Sequence, residues 1–180
     1  AMGFERTGVL HRSGYKDGAW RDVTYFEKPL TVLERILDNG QTPFLELSGM
    51  PGALARTEES VCHYRFRSAP PRDWRRWEEL VEQFLHVLIE RFGREELCRW
   101  YFEVWNEPDL PFWTGTQEEY FKLYDLSRAA IKRQDSRFRV GGPATSKTAW
   151  IADFCRHVSA PSPEDPSPGC RCDFVSTHAY

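Results

Sequence analysis

Four short apolar segments alternate along this chain with longer segments whose apolar residues recur at helical spacing. The short segments have the length and composition of buried strands. They are residues 42–47, 99–105, 138–142 and 174–177. The longer, helical segments are residues 27–39, 70–92, 116–133 and 150–158. Because strands that are separated by helices pair in parallel, the alternation predicts an α/β fold.

Residues at the ends of these segments support the predicted helices. Thr116-Gln117-Glu118-Glu119 has the pattern of a capping box, which favours a helix start. Pro70-Pro71 opens the longest helical segment, and Gly40 and Gly93 stand where two helices are expected to end. The Pro-rich segment 159–169 predicts a solvent-exposed loop.

The number of strands limits the architecture that the chain can form. Four strands, or five if residues 4–10 form another, are enough for a doubly wound sheet. A complete (β/α)8 barrel needs eight strands and about 250 residues, whereas this chain has 180. The sequence ends at Tyr180 on a predicted strand, with no closing helix after it. We therefore expect the chain to be part of a longer protein.

Charge and hydropathy argue against two classes of partner. The chain has 24 Lys and Arg against 27 Asp and Glu, so it lacks the excess of positive charge that binds nucleic acid. No apolar run approaches the roughly 18 residues of a membrane span. Residues 1–8 contain no apolar signal core. We expect neither nucleic acid nor a membrane as a partner.

The five cysteines do not show the pattern of a disulfide framework or a metal site. Their number is odd, and only Cys170 and Cys172 are closely spaced. One intervening residue is too few for a zinc knuckle, and no second pair completes a set of four ligands. The sequence also lacks a P-loop and a GxGxxG motif. We expect free thiols in a reducing, cytoplasmic compartment, and neither a metal nor a nucleotide cofactor.

The segment Trp105-Asn106-Glu107-Pro108-Asp109 directly follows a predicted strand. Polar residues at the carboxyl end of a parallel strand lie at the usual active-site face of α/β proteins. A carboxylic acid beside an amide suits the protonation of a leaving oxygen and the binding of a neighbouring hydroxyl. The motif therefore favours Glu107 as a general acid and Asn106 as a binding residue. The alternative is a simple turn with a solvated glutamate.

Five segments of the chain share features with one known family: TPFLELSGMPGALA, PPRDWRRWEELVEQFLHVLIERFG, YFEVWNEPDLPFWTGTQEEYFKLYD, VGGPATS and DFVSTHAY. In this order, in a match from about Arg21 to Tyr180, they resemble glycoside hydrolase family 39, the β-xylosidase and α-L-iduronidase family of the retaining (β/α)8-barrel clan A. The resemblance implies a partial TIM barrel that spans roughly strands 2 to 6, with residues 5–10 at the end of the second strand. Residues 1–180 would then form an incomplete catalytic domain.

The resemblance also implies a role for individual residues. Glu107 takes the place of the acid/base glutamate, and Asn106 that of the asparagine that binds the 2-hydroxyl of the reacting sugar. His178 and Tyr180 match a His-x-Tyr motif whose histidine lines the sugar site and whose tyrosine binds the nucleophile. The family's nucleophile follows the seventh strand, beyond Tyr180, so we expect these 180 residues alone to be inactive.

Other side chains near the motif have two interpretations each. Phe112 and Trp113 follow Glu107 and would either form a sugar-stacking wall or pack the loop against the barrel. Glu46 is interpreted as a pocket wall or a structural hydrogen-bonding residue rather than as a nucleophile. Glu103 precedes Glu107 by four residues, and we expect it to be buried in the barrel interior.

The resemblance implies an O-glycosidase that needs no cofactor. We favour an exo-acting, retaining β-xylosidase whose substrate is a xyloside or xylo-oligosaccharide, because FWTGTQEEYFKLYD, GGPATS and STHAY are closer to the bacterial β-xylosidases. An α-L-iduronidase-like hydrolase is the alternative within the family. Binding a uronate needs cationic donors, which the sequence does not place at the site.

A function of another class is also open. The chain would then be a truncated, non-catalytic half-barrel that binds carbohydrate or another partner. A half-barrel would have to cover its open sheet edges and an apolar face, for example by forming a homo-oligomer. If the chain is instead part of a complete enzyme, the missing strands cover both.

Overall fold

The computed structural model of the protein describes residues 6–16, 19–26, 28–61 and 67–179. The strands in this part of the chain are β1 (Arg6–Lys16), β2 (Ala19–Phe26), β3 (Phe44–Leu47), β4 (Tyr101–Val104), β5 (Arg139–Ser146) and β6 (Phe174–His178). The helices are α1 (Lys28–Asp38), α2 (Trp74–Phe92), α3 (Arg94–Leu97), α4 (Gln117–Gln134) and α5 (Ile151–Ser159).

Strands β3, β4, β5 and β6 form one parallel sheet in their order along the chain. Glu46, Glu103, Gly141 and Phe174 occupy the same level of four successive strands. A helix lies in each connection: α2 and α3 between β3 and β4, α4 between β4 and β5, and α5 between β5 and β6. The predicted α/β fold with parallel strands is confirmed.

The first two strands form a separate antiparallel hairpin. Arg6 pairs with Phe26 at one end of the hairpin, and Lys16 pairs with Ala19 at the other. Residues 6–10, which the resemblance implies to lie at the end of the second barrel strand, thus pair in an antiparallel hairpin and not in the parallel sheet. In the sequence, Asp17-Gly18 separates the two strands, and this dipeptide favours two-residue hairpin turns. Phe4 and Glu5 lie outside the described residues.

The helix-covered face of the sheet holds the main core. Phe102, Val104 and Val140 are fully buried there. Helix α2 buries four side chains at intervals of three or four residues, as expected for one face of a helix. They are Trp77, Val81, Leu85 and Leu88. Trp77 Nε1 donates a hydrogen bond of 2.9 Å to Ser127 Oγ on α4, which joins the two helices inside the core.

The caps of the two long helices are built from side chains. Asp73 accepts hydrogen bonds from the backbone of Arg75 and Arg76, so α2 begins at Trp74 and not at the predicted Pro70-Pro71. Thr116 and Glu119 form the capping box that the sequence predicts at the start of α4. Both helices therefore start at fixed positions relative to the strand ends.

The segment between α5 and β6 is held by buried charges. Arg171 is 1 % exposed and pairs with the carboxylate of Asp125 on α4. The other oxygen of Asp125 accepts 2.6 Å and 2.9 Å hydrogen bonds from Ser162 and His157. The prediction of a solvent loop over residues 159–169 is thus wrong for Ser162 and Asp165, which are buried. These contacts fix the path of the chain into β6.

The opposite face of the sheet carries aromatic rings at one end and carboxylates further along. Phe44, Tyr101 and Phe174 form a cluster with ring centroids 5.5–5.6 Å apart. Gly141 allows this close approach, since a Cβ there would lie 2.3 Å from the carbonyl oxygen of Phe174. Because side chains alternate along a strand, Glu103 lies on the same face as Tyr101.

Glu103 is 5 % exposed, which confirms its predicted burial. Burial raises the pKa of this carboxyl above its ordinary value, against the opposing effect of nearby His178. The ionised form of Glu103 is therefore less favourable in the folded protein than in the unfolded chain. Its cost to stability appears as the pH rises through the ordinary glutamate range towards the raised pKa.

We predict that Glu103→Gln stabilises the protein at pH 7 to 8 and has little effect at pH 4, where the native carboxyl is protonated. Urea denaturation of both proteins across this pH range measures the difference. Glu90→Gln, at an exposed position on α2, is the matched control and should show no such pH dependence. A Glu103→Gln variant that is no more stable at pH 8 than at pH 4, relative to the native protein, would contradict the assignment.

Candidate active site

The carboxyl ends of β4 and β6 bring two predicted site residues into contact. Glu107 lies three residues after β4, and His178 is the last residue of β6. His178 Nδ1 and Glu107 Oε1 are 2.9 Å apart. The Glu107 side chain is 8 % exposed and that of His178 is 28 % exposed. Strand β5 lies between their two strands, so this contact reaches across it.

The backbone that carries Glu107 leaves the direction of β4 abruptly. Trp105 and Glu107 have φ angles of 71° and 43°, in the left-handed region that non-glycine residues rarely adopt. Two hydrogen bonds hold this conformation. Glu107 N donates to Ala144 O at 2.9 Å, and Leu110 N donates to Glu107 O at 3.0 Å. The carboxyl of Glu107 thereby sits over the end of β5 rather than continuing along β4.

The end of β5 is irregular and contacts both neighbours. Its register against β6 shifts between Pro143 and Thr145, a bulge of the kind that occurs beside active sites. Thr177 Oγ1 donates to Thr145 O at 2.8 Å and accepts from Thr148 N at 3.0 Å. Lys147 N donates to His178 O at 2.9 Å. Strand β6 is therefore tied to the same segment that anchors Glu107.

Asp109 makes a second connection between the Glu107 loop and β5. Its Oδ1 accepts a 2.9 Å hydrogen bond from Ser146 N, and its Oδ2 accepts one of 2.7 Å from Ser146 Oγ. Asp109 and Ser146 stand in the sequence analysis only as the last residues of two motifs, and their contact is not predicted there. The 36 residues between them carry no periodic signal of this contact.

Glu46 adds a further carboxyl to this region. It lies beside Glu103 in the register of β3 and β4, on the same face of the sheet. Partial burial and the charge of Glu103 raise the pKa of Glu46, and the charge of Glu107 adds to the shift, while His178 opposes it. The position agrees with a wall of the site, as the sequence predicts. Glu46 therefore favours its uncharged form more than an exposed, isolated glutamate does.

The remaining predicted binding residues lie in different environments. Asn106 is half-buried next to Glu107. Phe112 is half-buried, and its carbonyl accepts a 3.0 Å hydrogen bond from Trp105 Nε1. Tyr180 lies outside the described residues.

Trp113 belongs to the core. It is 4 % exposed, and its ring packs edge-on against Trp105 and Tyr120 at centroid distances of 5.0 Å and 6.4 Å. Its Nε1 donates to Thr116 O at 2.9 Å. An enclosed ring offers no face to a sugar. The structure therefore places Trp113 in the packing of the loop, which is the alternative interpretation, and not in a sugar-stacking wall.

The described residues contain no group of three or more His, Cys, Asp or Glu side chains placed to hold a metal ion. Cys98, Cys155, Cys170 and Cys172 carry free thiols, and Cys62 lies outside the described part of the chain. Among the helices of the described segments, none has the length and apolar character needed to cross a membrane. At the strand ends the structure brings together carboxyls, an imidazole and an amide.

Comparison with known proteins agrees with this arrangement. The chain is 45 % identical over 155 residues to a β-xylosidase from Caldicellulosiruptor saccharolyticus, a match that covers 83 % of this chain and 30 % of that protein. It is 28 % identical over 121 residues to α-L-iduronidase from Canis lupus familiaris, covering 66 % of this chain and 17 % of that protein. The chain thus spans less than a third of the length of either relative.

A solved structure shows the same fold. The crystal structure of a monomeric β-xylosidase from Caulobacter crescentus CB15 superposes with a TM-score of 0.79 and 36 % sequence identity. The superposition covers 96 % of this chain and 32 % of the other. In addition, the model of the family described as glycosyl hydrolases family 39 matches residues 5–180. This chain therefore belongs to glycosyl hydrolases family 39.

Proposed function

We propose that the protein containing this chain is an exo-acting, retaining β-xylosidase in which Glu107 is the general acid/base. The observation that carries the proposal is the contact between the nearly buried Glu107 carboxyl and His178 at the carboxyl ends of parallel strands. Family membership and 45 % identity to a β-xylosidase support the reaction and the sugar. The substrate class is a xyloside or xylo-oligosaccharide.

The proposed reaction has two steps, and Glu107 acts in both. In the first step Glu107 gives a proton to the glycosidic oxygen while a second carboxylate attacks the anomeric carbon and the bond to the leaving group breaks. In the second step the ionised Glu107 takes a proton from water, whose oxygen displaces the enzyme carboxylate from the sugar. We place the nucleophile beyond Tyr180, where the resemblance to the family implies it.

The surroundings of Glu107 suit a carboxyl that changes protonation state twice per turnover. Its side chain is 8 % exposed, so the carboxyl has little contact with bulk water that could exchange its proton. The imidazole of His178 can donate to the carboxylate or accept from the acid, according to its own tautomer. One neighbour can therefore hold the Glu107 side chain in place before and after proton transfer.

Asn106, Phe112 and Tyr180 complete the proposed sugar site. Asn106 is adjacent to Glu107 on the same strand end, so it can bind the 2-hydroxyl of the sugar whose anomeric carbon reacts. A hydrogen bond to that hydroxyl accelerates the reaction only as far as it strengthens in the transition state. Phe112 would line the site beside the loop, and Tyr180 would bind the nucleophile, as the family motif implies.

An α-L-iduronidase-like activity is the second candidate. A uronate carboxylate needs a cationic partner. Arg139 lies at the opposite end of β5, where its guanidinium sits 4.8 Å above the Tyr101 ring. Lys147, exposed and directly after β5, is the cation that favours this candidate. The higher identity to a β-xylosidase favours the xyloside.

We predict that Glu107→Gln in the full-length gene product lowers kcat/KM for phenyl β-xyloside by about 100-fold or more, the usual contribution of a general acid. The kcat/KM for 2,4-dinitrophenyl β-xyloside should change far less, because its leaving group departs without a proton. Steady-state kinetics on the two substrates measures the difference. Glu90→Gln, on the exposed side of α2, is the control and should match the native enzyme on both. Equal losses on the two substrates would remove Glu107 as the acid, and the absence of any turnover by the native protein would favour a non-catalytic half-barrel.

We further predict that the full-length gene product cleaves 4-nitrophenyl β-xyloside with a kcat/KM at least about 10-fold above that for the corresponding α-L-iduronide, a discrimination of the size that pocket contacts commonly provide. Release of 4-nitrophenol from each substrate under the same conditions measures the ratio. Preference for the iduronide would replace the proposed substrate class while leaving the role of Glu107 intact.

A further inference from the structure

We propose that Asp109 is a positioning residue that holds the loop of Glu107 in its catalytic geometry; the proposal rests on the proposed function of Glu107. Asp109 lies two residues after Glu107 and binds Ser146 through both carboxylate oxygens. Because each oxygen has a donor of its own, the Asp109 side chain has a fixed orientation against β5. Both oxygens are engaged by Ser146, so we assign Asp109 no contact with the substrate. Its effect on the reaction would come through the position of Glu107.

The Asp109 contact extends the pairing with β5 past the end of β4. Glu107 N donates to Ala144 O. Two residues further along each of the two segments, Ser146 N donates to the Asp109 carboxylate. In a regular parallel pair a backbone carbonyl of the neighbouring strand would accept from that N–H. Here β4 has ended, and the Asp109 carboxylate takes the place of the carbonyl. The loop is therefore attached to β5 at two successive points.

A carboxylate is suited to this place. It accepts from the backbone N–H and the hydroxyl of Ser146 at the same time, and hydrogen bonds to an ionised acceptor are roughly twice as strong as neutral ones. Ser146 is 8 % exposed, so loss of Asp109 would leave two donors poorly solvated. The left-handed backbone at Glu107 would lose one of its two connections to β5.

The segment that contains Ser146 also contacts His178, the residue paired with Glu107. Lys147, directly after Ser146, donates its backbone N–H to the carbonyl of His178. Displacement of Ser146 would therefore alter the position of His178 as well as that of Glu107. A misplacement of about 1 Å at a reacting group can cost on the order of 100-fold in rate. Asp109 thus governs the alignment of the acid without touching the sugar.

The test compares two substrates that differ in their need for an acid. We expect Asp109→Ala in the full-length gene product to lower kcat/KM for phenyl β-xyloside by about 10-fold to 100-fold, while kcat/KM for 2,4-dinitrophenyl β-xyloside falls by less than about 3-fold because that step needs no proton. For Asp109→Asn, kcat/KM for phenyl β-xyloside should lie within about 3-fold of the native value, because the amide can accept from Ser146 N and donate to Ser146 Oγ. Asp38→Ala, an exposed position on α1, is the matched control.

A purely structural role predicts another pattern. If Asp109→Ala lowers kcat/KM equally for the two substrates, or for neither of them, the positioning role is overturned. Ser146→Ala keeps the backbone N–H bond and loses the hydroxyl, so its kcat/KM should fall by a smaller factor and only for phenyl β-xyloside. If Asp109→Ala does not fold, an unchanged kcat/KM in Ser146→Ala overturns the proposal.

Glu107→Gln, measured alongside, separates the two proposals. If it lacks the leaving-group dependence, both fall, and if it shows the dependence while Asp109→Ala does not, only the positioning role falls.

Discussion

The parallel pairing of β5 with both of its neighbours is the constraint on which the candidate site depends. Glu107 and His178 are 71 residues apart in sequence, and they meet because β4 and β6 flank the same strand. The absence of a side chain at Gly141 allows Phe174 to lie close to it at the start of the β5–β6 pairing. The bulge at Pro143 and Thr145 then aligns the strand ends at the other.

The loops around this strand convert strand alignment into side-chain alignment. Glu107 has an unfavourable backbone conformation that is held from β5, and β6 is held from the same few residues. The buried pair of Arg171 and Asp125 fixes the chain as it enters β6. Conformational strain held by surrounding contacts is common where a side chain must be placed for chemistry. The arrangement thus restricts both members of the pair before any substrate binds.

Local sequence patterns were sufficient for the four long helices, the four parallel strands and the position of Glu107 after a strand, because each depends on neighbouring residues; the short helix α3 was not predicted. The hairpin of β1 and β2 was missed although Asp17-Gly18 offered a local signal. The contact of Asp109 with Ser146 and the burial of Trp113 depend on how distant loops fold against each other. No pattern of residue types encodes such contacts, so only the structure reveals them.

The most direct test of the central claim is chemical rescue of Glu107→Ala in the full-length gene product. Azide needs no base to attack a glycosyl-enzyme intermediate. If Glu107 is the acid/base, azide should accelerate turnover of 2,4-dinitrophenyl β-xyloside and yield the β-configured xylosyl azide. An α-configured azide would instead identify Glu107 as the nucleophile, and no acceleration by azide would contradict a catalytic role for Glu107.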